Sequence, residues 1–186
     1  MQLKNTLLIL TISLFIVACS SNEDFTIEKG KVGKITKKTT IKELDKIFEN
    51  DSLVSNLAAA ANNDSFFQDE DEYILYDEKG KLLLTIVPVN QADSTSIIKS
   101  IEIHDERYTT ENGLSLNSKF ADINANNKID RIETTLQSAT LFIDDLNATI
   151  VIDKQELGLA DFTSQTVTKE QIPDLAKIKS FIIWFE

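Results

Sequence analysis

The sequence predicts an α+β protein of two tandem units, each a helix plus an antiparallel meander, forming one sheet or two packed units. Three observations predict it. Ile98-Lys99-Ser100-Ile101-Glu102-Ile103 recurs as Ile178-Lys179-Ser180-Phe181-Ile182-Ile183, an offset of 80. Ahead of it, Ile35-x3-Thr39-x-Ile41-x2-Leu44 lines up with Leu114-x3-Ser118-x-Phe120-x2-Ile123 at an offset of 79, with Gly33 and Gly113 just upstream. Between these landmarks each half carries a hairpin pattern. Order and spacing together point to an internal repeat.

Each unit reads as a short strand, a helix, a hairpin and a last strand. Thr39 or Thr40 accepts a bond from the free N–H groups of the first helical turn, and Glu43 three or four residues on supports a capping box. Ile41, Leu44, Ile47 and Phe48 share one helical face, so this helix packs on something apolar. Leu53–Ala61, with four consecutive alanines, is expected to continue or follow the helix, and Asn62-Asn63-Asp64-Ser65 breaks it. In the first hairpin, Tyr73–Tyr76 and Leu82–Val87 flank Asp77-Glu78-Lys79-Gly80, whose glycine supplies a positive φ. In the second, Ala139–Ile143 and Ala148–Ile152 flank Asp144-Asp145-Leu146-Asn147, with Asn in the glycine's role. Gln155–Thr168 reads as mainly irregular, and Pro173 limits 169–177 to a turn. In the last strand Phe181, Ile183 and Phe185 face one way and Ile182 and Trp184 the other, as in a central strand.

The N-terminus is an address. Residues 1–18 form a signal peptide, with Lys4 followed by an apolar run from Leu7 to Ala18 that is too short to span a bilayer. Ile16-Val17-Ala18-Cys19 resembles the lipobox of bacterial lipoproteins. The resemblance implies cleavage before Cys19, a lipid on its thiol and acylation of the new amino group. Each buried CH₂ of such chains contributes about 0.8 kcal/mol, so two or three chains hold a protein on a membrane. Residues 19–29 are then a lipidated tether, 30–110 the first unit and 111–186 the second. The stretch Ser20-Ser21-Asn22-Glu23-Asp24 resembles the acidic, Ser-rich signal that directs some Gram-negative lipoproteins to the outer face of the outer membrane. The expected location is the outer membrane, lipid-anchored and surface-exposed. The tandem pattern over 30–186 resembles the repeats of beta-lactamase-inhibitor-type proteins and of small lipoproteins of the barrel-assembly machinery.

Composition narrows the function. The chain has 186 residues, 30 acidic against 19 basic, and a net charge of −11, which becomes −12 when Lys4 leaves with the leader. A nucleic-acid binder needs a basic stripe, so nucleic acid is not an expected partner. One Cys excludes an internal disulfide, and one His excludes the His-rich sites of most zinc enzymes. Motifs of the common reaction classes are absent, including Gly-x-Ser-x-Gly, the phosphate loop and His-Glu-x-x-His.

Four features are candidate sites. Asp122, Asn124, Asn126, Lys128 through its carbonyl, Asp130 and Glu133 stand at the oxygen-ligand positions of an EF-hand loop, so Ca²⁺ is the one cofactor to weigh. Against it, the repeat starts a short helix near Phe120 that consumes Asp122 and Asn124, leaving Asn126-Asn127 as a turn. Phe66-Phe67, in a polar loop, is a candidate anchor for a partner. Asp69-Glu70-Asp71-Glu72 reads as a solvated loop, because four adjacent carboxylates do not converge on one point. His104, in the position equivalent to Trp184, covers the sheet. The expected function is a non-catalytic, lipid-anchored envelope module that binds a protein or a glycan. The alternatives are a calcium-binding domain built on 122–133 and an enzyme with an unfamiliar site.

Overall fold

A computed structural model describes residues 23–58, 70–159 and 166–185. Cys19, Phe66 and Phe67 lie outside the described residues. The described chain is mostly β, which corrects the α+β expectation: among the described residues twelve strands make two sheets, with two α-helices of seven residues each. The helical periodicity at 41–48 is real, but it extends for only two turns. The segments around it are strands, so helix-plus-meander units are not what the chain is built from.

In chain order the strands are β1 (Thr26–Glu28), β2 (Lys31–Val32), β3 (Ile35–Thr36), β4 (Ser52–Asn56), β5 (Glu72–Tyr76), β6 (Leu82–Pro88), β7 (Ile98–Ile103), β8 (Thr109–Thr110), β9 (Arg131–Thr134), β10 (Ser138–Ile143), β11 (Ala148–Asp153) and β12 (Ser180–Trp184). The helices are α1 (Ile41–Ile47) and α2 (Phe120–Asn126). The small sheet has the order β3-β2-β1-β8, with β1 and β8 parallel. The large sheet is antiparallel, in the order β4-β5-β6-β7-β12-β11-β10-β9. Its two central strands, β7 and β12, pair Ile101 with Ile183 and Glu102 with Ile182.

A set of backbone contacts recurs along the chain. The N–H groups of Ile41 and Lys42 donate to the carbonyls of Ser96 and Ser94, and those of Phe120 and Ala121 to the carbonyls of Ala176 and Asp174. The first turn of each helix is thereby satisfied by the segment leading into β7 or β12. The Thr40 N–H donates to Glu43 Oε2 at 2.8 Å and the Lys119 N–H to Asp122 Oδ2 at 2.8 Å, the carboxylate half of a capping box in each case. Just upstream, the Thr36 N–H bonds Thr39 Oγ1 and the Ser115 N–H bonds Ser118 Oγ, both at 3.0 Å.

The first hairpin turns at Gly80, with φ +78, while Asp77 Oδ1 accepts the N–H groups of Lys79 and Lys81 at 2.9 Å each. The second turns through Asn147, with φ +53. The first part of Leu53–Ala61 departs from its helical expectation: Ser52–Asn56 is an edge strand paired with β5, while Ala59–Ala61 lie outside the described residues. The acidic run departs as well. Asp71 is buried and ties two loops, accepting the N–H of Ala58 at 2.9 Å and of Ala92 at 2.6 Å.

One core joins all of this. Leu84, Ile86, Ile101, Ile103, Leu141, Ile150, Ile152, Phe181 and Ile183 point from the large sheet into a cluster with Ile27, Val32 and Ile35 of the small sheet. Leu44 of α1 and Phe120 and Ile123 of α2 complete it. The described elements outside the large sheet that carry buried apolar residues put them into this core. The opposite face of the large sheet is left bare among the described residues.

Candidate functional site

Side chains alternate along a strand, so each residue beside a core residue belongs to the other face. The register carries one row across all eight strands of that face: Val54, Ile74, Thr85, Glu102, Ile182, Thr149, Phe142 and Arg131. A neighbouring row runs through Val87, Ser100 and Trp184. Ile74, Val87, Phe142, Ile182 and Trp184 are half-buried, and Val54 is 47% exposed. Eight strands spaced ~4.8 Å apart, each contributing about five residues at ~3.4 Å, give a face of about 650 Å². That approaches the ~800 Å² that each partner contributes to a standard protein interface.

The polar groups on this face are fixed in place. The indole Nε1–H of Trp184 donates to Thr149 Oγ1 at 3.1 Å, and His104 Nε2 lies 2.9 Å from Thr85 Oγ1. The two pairs sit on opposite sides of the β7–β12 seam, one joining Trp184 at the end of β12 and the other His104 just past β7 to a Thr on the next strand outward. Ser180 donates to Glu102 Oε1 at 2.6 Å. At the β9 edge the Arg131 guanidinium stacks 3.7 Å from the centre of the Phe142 ring and pairs with Glu133. Trp184 is held through its backbone too: its N–H donates to the Asn147 carbonyl at 2.8 Å, and Asn147 Nδ2 donates back to its carbonyl at 2.9 Å. The middle of the face is aliphatic, aromatic and hydroxylic, with Glu102 its one charge. Charge depletion with aromatic enrichment is the composition of an interface core.

A second polar cluster lies at the end of the covered face. Asp105 is fully buried just past β7. It receives Arg107 Nη2 at 2.7 Å, Arg107 Nε at 3.0 and 3.1 Å, the Arg107 backbone N–H at 2.9 Å and Lys81 Nζ at 3.1 Å. Burial by itself raises its pKa, but the bonds from Arg107 and Lys81 outweigh burial and hold it at about 2. Arg107 also stacks 4.4 Å from the Phe25 ring centre, and Phe25 meets Tyr108 edge-on at 5.0 Å. These contacts pin the start of the folded body. Gly33 lies against the same segment: its N–H donates to the Thr26 carbonyl, and a Cβ on it would stand 2.4 Å from the Asp24 carbonyl oxygen.

The six calcium-ligand candidates do not come together as a loop. Asp122, Asn124 and Asn126 lie within α2, where Asp122 caps the Lys119 N–H and Asn126 Nδ2 bonds the Asp122 carbonyl. Lys128 pairs with Asp130, which also accepts the Asp144 N–H at 2.9 Å, and Glu133 turns to Arg131 on the sheet. A helix start and an EF-hand loop both call for Asp and Asn at short spacing, and here the helix has them. Among the described residues no group of three His, Cys, Asp or Glu side chains is placed to hold a metal ion. Sequence reasoning had set Ile182 and Trp184 apart from Phe181 and Ile183, but not the row across the sheet, which exists only once the register is known.

No family model and no curated protein matches the chain. Among solved structures it is similar to the crystal structure of the uncharacterized protein yfeY from Escherichia coli, at 14% identity and a TM-score of 0.52, over 86% of this chain and 99% of that one. At this identity the likeness shows a shared fold alone.

Proposed function

We propose that this chain is a lipoprotein of the bacterial envelope, held at the outer membrane through lipid on Cys19, and that the uncovered face of its large sheet docks a protein partner without catalysis. The observation that carries the docking is the row from Val54 to Arg131, about the area of a standard interface side, with one charge in its middle. The lipobox residues carry the anchor. A surface eight strands wide suits a protein better than a glycan, which is gripped in narrower grooves. The net charge of −12 left once Lys4 goes with the leader keeps an exported domain soluble and away from anionic head groups.

Two substitutions in the full-length protein test the two halves separately. Cys19→Ala moves the chain from the membrane to the soluble fraction; retention with normal processing contradicts the anchor. Ile182→Arg places a charge in the middle of the face, so it keeps the fold and the membrane location but removes the envelope complex seen by native electrophoresis. An unchanged complex contradicts the docking face, and a complex that disappears on glycosidase treatment assigns it to a glycan instead.

A further inference from the structure

A cavity of about 330 Å³ opens away from the sheet face, where the end of α1, the β5–β6 hairpin and the loop from β7 to β8 meet the segment around Phe25. Two polar side chains lining it are unused by the fold. Tyr108 is 2% exposed, yet its hydroxyl has no hydrogen-bond partner among the described residues. Asp51 is half-buried, and its carboxylate has neither a hydrogen bond nor an ion pair among them. Neither group is claimed by a neighbour among the described residues, so both are free to accept a hydrogen bond from a molecule in the cavity. Phe48 and Leu83 supply the apolar part of the wall.

We propose that this cavity binds an alkylammonium group, with Asp51 as its counter-ion, the Tyr108 oxygen as a second acceptor, and Phe48 and Leu83 against the stem. Four carboxylates line the cavity, Asp24, Asp51, Asp77 and Glu78, against three cations, Lys34, Lys79 and Arg107. The cations nearest Asp51 are already engaged: Lys34 with Asp24, and Arg107 with Asp105 and Asp77. Desolvation pushes the Asp51 pKa up against the opposing charge of Lys34, with Glu78 and Asp77 adding to the rise, and burial with the charges of Asp105 and Asp51 pushes the Tyr108 pKa up against Arg107. Both shifts report a site that disfavours further negative charge and that a cation relieves. Such a group reaches the site as a free amine or as the lysyl side chain of a protein.

Calorimetric titration of the full-length lipidated protein in detergent tests this, with 1,4-diaminobutane and Nα-acetyl-lysine amide as the two probes and 1,4-butanediol as the neutral control. Saturable binding of either amine, and none of the diol, is expected; whichever amine binds more tightly identifies the source. Asp51→Asn should weaken it by about tenfold or more, since a charge-assisted bond is lost. Glu133→Gln, a carboxylate removed from elsewhere, should leave it unchanged. Tyr108→Phe should weaken it severalfold at an unchanged melting temperature, because the fold does not use that hydroxyl. Equal binding of diol and amine, full affinity in Asp51→Asn, or a fall in melting temperature for Tyr108→Phe overturns the proposal.

Discussion

Phe181 and Ile182 are consecutive residues of β12, and they live in different environments: Phe181 has no solvent exposure, whereas Ile182 stands half-buried in the middle of the bare face. Asp105 and His104 repeat the contrast past the end of β7, where the carboxylate is sealed in by Arg107 and Lys81 and the imidazole meets Thr85 on the outer face. The difference teaches how labour divides across one sheet. The covered face carries the stability, because its side chains meet two helices and a second sheet. The bare face retains aliphatic and aromatic residues that do little for the isolated fold, and such residues are the substance of an interface.

The contrast can be broken most forcefully from the covered side. Phe181→Ala should cost about 3 to 5 kcal/mol in chemical denaturation, the range for removing a large aromatic from a packed core. A loss near 1 kcal/mol would mean the core is looser than its burial shows. Next in size is the acid limb. Asp105 is held at about 2 in the fold against 3.8 when free, so its pairing adds stability that is complete above the free value and drains away as pH falls through the folded one. That contribution is about 2 kcal/mol, and Asp105→Asn should flatten the corresponding part of a stability-against-pH profile. An acid limb unchanged by the substitution would place it on other carboxylates.

Smaller effects sharpen the other side. Thr149→Val deprives the Trp184 indole of its acceptor and should cost about 1 kcal/mol, with a shift in Trp fluorescence as the ring is released. Ile182→Thr, which keeps the β-branched shape, should cost about 0.5 kcal/mol or less. If Ile182→Thr proved as costly as Phe181→Ala, the outer face would be a second core and the contrast would fail.

Much of the large sheet was legible in the chain. The recurrence of 98–103 at 178–183 and the alternation of 181–185 marked the two central strands, the turn residues Asp77–Gly80 and Asn147 marked the hairpins, and Thr39 or Thr40 with Glu43 marked the start of α1. The fold class was not legible, because a two-turn helix and a longer one share the same first four apolar positions. Ser52–Asn56 was missed for a related reason: the edge of β5 offers it five paired residues that no local reading contains. Asp122–Glu133 offered two readings because helix capping and calcium ligation draw on the same oxygen-bearing residues, and the structure has the short helix from Phe120. The cavity was invisible for a simpler reason. Asp51 and Tyr108 are far apart in the chain and meet only through the packing of α1 against the β7–β8 loop.

The docking face is tested most directly by photo-cross-linking in intact envelopes, with the reactive side chain placed at 182 in one variant and at 175 in another. Leu175 is 77% exposed but lies in the segment ahead of β12, outside the row. The account predicts one discrete protein adduct from position 182 and none from 175. Adducts from 175 with none from 182 would contradict it.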